Sequence, residues 1–537
     1  MTTTTLQRRR SAICLGLLAA AVSAAAHAQS PVTTCDVAGI GAAKLDAEGS
    51  PVTVLDVSAA KAGNVDYCLV KLQVPQAINI WVGLPMAGAW NGRWQSTGGG
   101  GYAGMATAPN QALVAGYAAA STDTGHKAQD GGKFGMLEPG KPNVELQKDF
   151  AYRSEHLMAV LGKQLVQAFY GKKPEYSYWN GCSTGGRQGL RMAQDYPDDY
   201  DGILAGAPAI HWDRFQAQQI WPQVAQLRDN GGLIGGGARE LITAKQQLAT
   251  SKAIAACDAL DGVSDGVLTD PRKCKYSAAK DTSITTAACT ATDASCLTPT
   301  EASAIDKMWQ GPVACANGSG SCDVPQTASR DAKAAGNKRL WYGMTRGTAL
   351  GSLGGAIPFS IAVEQPRYWV YFNADWDWKT LDYANFQNFF NDTVAKVGPV
   401  MGSDNPDLSK FRDHGGKLVL YHGWSDMLIM PEGTIDYYER VTNKLGGGYS
   451  KTQQFARLFM APGVGHCAGG DGPQPQGMFE AVVDWVEHGK APETILSTKK
   501  IDTGTRTRPL CQYPEQAVWN GKGSSDDAAN FSCAVVK

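Results

Sequence analysis

The chain has 537 residues, 49 Lys and Arg against 50 Asp and Glu, a net charge of −1 and 43% hydrophobic residues. That balance offers no basic surface for nucleic acid, and past the N-terminus no apolar stretch is long enough to span a bilayer, so neither partner is expected. The length exceeds a domain of about 100–200 residues, which predicts one large domain with an insertion, or two domains.

Arg8, Arg9 and Arg10, an apolar run from Ala12 to Ala25, and Ala26-His27-Ala28 form a charged, then hydrophobic, then small-residue pattern. This reads as a signal peptide over 1–28, with a mature chain starting near Gln29 and exported to the periplasm or beyond. Cys14 lies in that leader. The twelve remaining cysteines are Cys35, Cys68, Cys182, Cys257, Cys274, Cys289, Cys296, Cys315, Cys322, Cys467, Cys511 and Cys533. An even number without a Cys-x-x-Cys pattern in an exported chain points to disulfides. Their spacing suggests Cys257 with Cys274, Cys289 with Cys296, Cys315 with Cys322, and Cys511 with Cys533.

From Leu69 to Asp123 the pattern is β-rich, with strands predicted over 78–85, 93–97 and 116–122 and a glycine run, Gly98 to Gly101, between the last two. Leu157, Val160, Leu161, Leu165, Val166 and Phe169 form a stripe at helical spacing over 150–170. Tyr176, Tyr178 and Trp179 then lead into Gly181-Cys182-Ser183-Thr184-Gly185, followed by a helix predicted from near Gly186 through Gln194 and a buried strand over 202–206. A strand, a tight Gly-x-Ser-x-Gly bend and a helix would expose the Ser183 hydroxyl at a sheet end. With 62 glycines in the chain, the pentapeptide alone is weak.

The alternating strand and helix rhythm of a doubly wound α/β sheet lapses over 210–391, which holds six cysteines and many aromatics, and resumes with strands at 416–423 and 455–460 and a helix at 478–488. This predicts one α/β domain, 29–209 with 392–537, carrying a 210–391 lid.

A serine nucleophile needs a base and a group that orients it. In the α/β-hydrolase arrangement they follow in the order Ser, acid, His on loops after later strands. Asp426 follows the 416–423 strand and His466 the 455–460 strand, so Ser183, Asp426 and His466 are the candidate triad. His126 and His422 also follow strands and compete with His466, although His422 reads better as support for the Asp426 loop. Cys182 precedes Ser183 and Cys467 follows His466, so a bridge could join the two loops; the alternative is that each pairs elsewhere.

These segments, Gly181 to Arg187, Leu420 to Asp426 and Pro462 to Cys467, resemble those of the tannase and feruloyl esterase family, which includes MHET hydrolases. The resemblance implies an α/β-hydrolase fold with a lid, a Cys182–Cys467 disulfide and a serine esterase acting through an acyl-enzyme. The oxyanion donors expected are the amides of Thr184 and, from the glycine run, Gly99, the position matching the family pattern.

Between Cys257 and Cys274, Asp258, Asp261 and Asp265 stand among glycines and could converge on a hard cation, or form a solvated acidic loop. The resemblance favours structural Ca²⁺, with Val263 and Val267 supplying carbonyls; no organic cofactor is expected. The expected substrate is a small ester of a hydroxycinnamic or hydroxybenzoic acid. Terephthalate monoesters are the alternative, but they call for a basic clamp, and the variable part of the lid offers only Arg339, Arg346 and Arg367. A serine amidase or peptidase is a further alternative.

Overall fold

Leu418, Val419 and Leu420 are all fully buried, as a parallel strand covered on both faces requires. They lie in a nine-stranded sheet of β1 (Thr53–Ala62), β2 (Val65–Val74), β3 (Ile78–Pro85), β4 (Arg93–Thr97), β5 (Ala118–Thr122), β6 (Tyr176–Cys182), β7 (Gly202–Gly206), β8 (Lys417–Gly423) and β9 (Ala456–Ala461). The structure, a computed structural model, describes residues 1–2, 34–41, 43–86, 88–324 and 329–536. The expected leader lies outside the described residues apart from Met1 and Thr2.

The strands run β1-β2-β3-β5-β4-β6-β7-β8-β9 across the sheet. Pairings among β1, β2, β3 and β5 are antiparallel; the rest are parallel. The exchange of β4 and β5, followed by parallel crossovers through helices, is the arrangement of an α/β-hydrolase. The predicted strands agree with the observed ones to within two residues. β1 was not anticipated: as an edge strand of a hairpin it is exposed or half-buried along nearly all its length, so its sequence carries no alternation to read.

Helix α1 (Ser154–Tyr170) buries Leu157, Leu161, Leu165, Val166 and Phe169 and ends at Gly171, whose φ of 75° suits a left-handed cap. Helix α2 (Thr184–Asp195) begins directly after Ser183, two residues before the expected start.

Among the described residues, nothing between Gly206 and Lys417 joins the main sheet. That segment opens with helix α3 (Trp212–Gln218) and packs Trp212, Trp221, Trp341 and Trp369 into a core shared with Tyr102 and Phe150 from loops beside the sheet. The helix Phe386–Met401 runs through the expected boundary at 391. It is held to α3 by the Thr393 hydroxyl, which donates to the Asp213 carbonyl at 2.6 Å.

Among the described residues six disulfides are formed: the four local pairs expected from spacing, Cys35–Cys68 and Cys182–Cys467. Past His488 the chain adds the unanticipated hairpin Thr494–Ile501 and Gly504–Cys511.

Candidate active site

Ser183 sits between β6 and α2 at φ 63°, ψ −124°. A side-chain-bearing residue held there stores about 1–3 kcal/mol, which the surroundings must offset. The Ser183 amide donates to the Gly206 carbonyl at 2.9 Å, and the Ser183 carbonyl accepts from the Ala209 amide at 3.0 Å. The turn also needs its glycines, because a Cβ on Gly181 would stand 2.6 Å from the Gly185 carbonyl carbon.

Asp426 follows β8 and is fully buried. Its Oδ1 accepts from the Leu428 and Ile429 amides at 2.8 and 2.9 Å. Its Oδ2 takes His466 Nδ1 at 2.7 Å and His422 Nε2 at 2.9 Å. Burial alone would raise this carboxyl; the His466 charge and the two imidazole hydrogen bonds outweigh it and hold the group well below the usual carboxylate range. His422 Nε2 also lies 3.2 Å from the Ile429 carbonyl, and its Nδ1 lies 2.8 Å from the Thr434 hydroxyl. Two acceptors at Nε2 place the proton there, leaving Nδ1 to accept from Thr434. His422 is thus fully engaged in supporting Asp426. The other competitor, His126, is spent on the Tyr102 carbonyl and stacks on Phe134 with ring centroids 3.6 Å apart.

His466 follows β9, and the disulfide between the chain neighbours of Ser183 and His466 closes at a Cα separation of 5.9 Å. Ser183 and His466 line one cavity of about 370 Å³. Its walls include Trp212, Phe215, Phe359, Ile361, Leu428 and Ile429, with no Lys or Arg among the described lining residues. Arg339, Arg346 and Arg367 donate elsewhere, to the carbonyls of Ser329, Tyr276 and Trp376.

The expected oxyanion donors fare differently. Thr184 lines the cavity at the start of α2, and its hydroxyl donates to the Gly101 carbonyl at 2.7 Å. The Gly99 assignment needs correcting: its amide donates to Gln188 Oε1 at 3.1 Å, away from the cavity, which Gly100 and Gly101 line instead. Gln188 Nε2 in turn donates to the buried Glu155 carboxyl. Burial pushes Glu155 up to about 7, against the pull of the Arg187 guanidinium.

The acidic loop is closed by Cys257–Cys274. Asp258 accepts from the Asp265, Gly266 and Val267 amides, and Asp261 from the Val263 amide and the Thr269 hydroxyl. Asp265 pairs with Arg508 at 2.5 Å and Arg506 at 3.3 Å. Among the described residues no three acidic, His or Cys side chains converge as metal ligands. The donor chemistry still suits a hard cation: the Asp261 carboxyl is raised, first by burial and also by the neighbouring Asp265 and Asp258 charges, a repulsion that a divalent ion would offset.

Residues 59–534 match the family model described as "Tannase and feruloyl esterase". The chain belongs to the tannase and feruloyl esterase family. As a member it is a carboxylic ester hydrolase. Among its relatives, a probable feruloyl esterase of Arthroderma benhamiae is 35% identical over 496 residues, covering 90% of this chain and 87% of the relative. The mono(2-hydroxyethyl) terephthalate hydrolase of Piscinibacter sakaiensis is 32% identical over 501 residues, 84% of this chain and 81% of that one. The crystal structure of feruloyl esterase B from Aspergillus oryzae superposes with a TM-score of 0.75 at 28% identity, covering 90% of this chain and 97% of that one.

Sequence reasoning missed the family member's cavity wall on α3. Trp212, Phe215, Gln216 and Gln219 all line the cavity, and their i, i+3, i+4, i+7 spacing was the available signal.

Two outcomes are expected. Replacing Cys182 and Cys467 together with Ala should lower kcat by roughly tenfold or more in steady-state ester hydrolysis, because a misplacement near 1 Å can cost about 100-fold; unchanged kcat would contradict a positioning role for the bridge. Glu155 keeps its proton in the folded state up to about 7 but loses it near its ordinary 4.5 when unfolded. Its contribution to stability is therefore full below about 4.5 and declines as pH rises towards 7. E155Q should remove that decline, read as wild-type and variant melting temperatures diverging between pH 5 and 8; parallel curves would refute it.

Proposed function

We propose that this hydrolase is an exported serine esterase that cleaves esters of hydroxycinnamic or hydroxybenzoic acids. The observation that carries this reading is the aromatic cavity that Ser183, His466 and α3 share, with no Lys or Arg among its described lining residues. Ser183 Oγ attacks the ester carbonyl while His466 Nε2 takes its proton, and Asp426 fixes the imidazole through Nδ1. The tetrahedral oxyanion is held by the Thr184 amide and, in place of Gly99, the Gly100 amide. Losing one such donor typically costs ~2.7–4 kcal/mol. His466 then protonates the leaving alcohol, and water activated by the same imidazole releases the acid from the acyl-enzyme. The 210–391 insertion is the lid over this chemistry.

The relative named for terephthalate monoester hydrolysis keeps that substrate as a second reading. A free carboxylate buried against aromatic walls needs a paired cation, so neutral acyl groups are favoured. Six disulfides accord with export to an oxidising compartment.

The acidic loop would hold Ca²⁺ through the Asp258, Asp261 and Asp265 side chains and the Val263 and Val267 carbonyls. The ion would offset the repulsion among these carboxylates, of which Asp265 also pairs with Arg506 and Arg508 of the C-terminal hairpin.

S183A should lose roughly 1,000-fold or more in kcat on methyl ferulate with nearly unchanged melting temperature, and the unaltered enzyme should hydrolyse methyl ferulate or methyl gallate faster than MHET. Retained turnover in the variant would remove Ser183 as nucleophile, and MHET as the fastest substrate would favour the second reading. Chelation should lower the melting temperature and added Ca²⁺ restore it; an unmoved melting temperature would remove the ion.

A further inference from the structure

The two imidazoles beside Asp426 bind the same oxygen. His466 Nδ1 lies 2.7 Å from Asp426 Oδ2 and His422 Nε2 lies 2.9 Å from it, while Oδ1 is left to the Leu428 and Ile429 amides. Holding the carboxylate in place does not by itself require this, since two amides and one imidazole already fix its plane. His422 and Asp426 are fully buried, whereas His466 lines the cavity. The His422 tautomer is set from outside the pair: Thr434, in the first turn of the helix Pro431–Leu445, meets Nδ1 at 2.8 Å, so the Nε2 proton is directed at the acid. Other titratable groups on the surrounding elements are engaged elsewhere. Glu432 on the same helix interacts with Arg272, Arg339 and Asp270, and Arg272 stacks over Trp424 at 5.0 Å. His211 bonds the Gly433 carbonyl and pairs with Asp404, and the Tyr421 hydroxyl donates to the Cys467 carbonyl at 3.2 Å.

We propose that His422 is a positioning residue that sets the basicity of His466, and with it the pH at which the esterase becomes active, by taking a share of the Asp426 oxygen that both imidazoles bind. This rests on the esterase reading above and adds what tunes its base. A carboxylate favours the charged form of a neighbouring imidazole over the neutral one. A second N–H on the same oxygen satisfies part of that charge. The pull on the His466 proton is thereby weakened, and the imidazole stays neutral, able to take the Ser183 proton, down to lower pH. Without His422 the oxygen would act on His466 undivided, and the acid side of the activity profile would move to higher pH. A residue that only packed the end of β8 would change stability or kcat at every pH and leave that midpoint in place.

The test follows kcat/KM for methyl ferulate and methyl gallate against pH in the unaltered enzyme, H422L and H422Q. Leu removes the donor, and the acid-side midpoint should rise by about half a unit or more, part of the roughly one to two units that a hydrogen bond to a charged group is worth. Gln returns an N–H close to the position of Nε2 and should bring the midpoint back towards that of the unaltered enzyme. Because H422L also leaves the Ile429 carbonyl without its donor, a measurement on the unaltered enzyme stands beside it: with isotope-labelled histidine, the magnetic resonance of the His422 Nε2 proton should shift with the midpoint of the activity profile. A midpoint unmoved in folded H422L, a midpoint raised equally in both variants, or a His422 resonance constant through the acid side would each overturn this inference and leave the esterase reading standing. No turnover of either ester by the unaltered enzyme would overturn both.

Discussion

A carboxylate removed from water must be surrounded by donors, and Asp426 is the group whose burial organises this active site. Its four hydrogen bonds come from three places: the amides of its own loop, His422 within β8, and His466 on the loop after β9. Removing any one would leave a desolvated charge partly uncompensated, so strand end, loop and imidazole are tied to one another. The parallel pairing of β8 with β9 sets the two loops side by side, and Asp426 then fixes the orientation of the His466 imidazole.

The opposite half of the site is built from α2. Ser183 is held in a strained conformation by bonds to the ends of neighbouring segments, and the same helix sends Gln188 back to the Gly99 amide. The nucleophile and the glycine loop are therefore positioned by one rigid element, and buried Glu155 on α1 anchors that element from behind. The lid core joins this arrangement through Phe150, whose carbonyl accepts from Arg187 at 2.9 Å and whose ring packs on Trp212.

Much of this was legible in the sequence because it obeys local rules. Ser183, Asp426 and His466 each lie on the turn or loop after a strand with readable periodicity, and four of the disulfides join near neighbours. The Gly99 assignment failed for a different reason. The direction of that peptide depends on a glutamine 89 positions later in the chain, and a run of glycines has no preference of its own to betray it. The α3 stripe obeyed a readable period, yet it lies at the edge of a region whose strand and helix rhythm had lapsed. The acidic loop is intermediate: its residues were identifiable, but the engagement of Asp265 with Arg506 and Arg508 comes from a hairpin more than 200 residues away.

The Cys182–Cys467 bridge spans 285 residues of chain. It turns everything from Ser183 to His466, the 210–391 insertion included, into a covalently closed ring. A protease that clips an exposed lid loop would open the ring without releasing a fragment, because both new ends stay joined through the sulfurs beside the active site. The linkage that joins the Ser183 and His466 loops thus also keeps a nicked molecule in one piece.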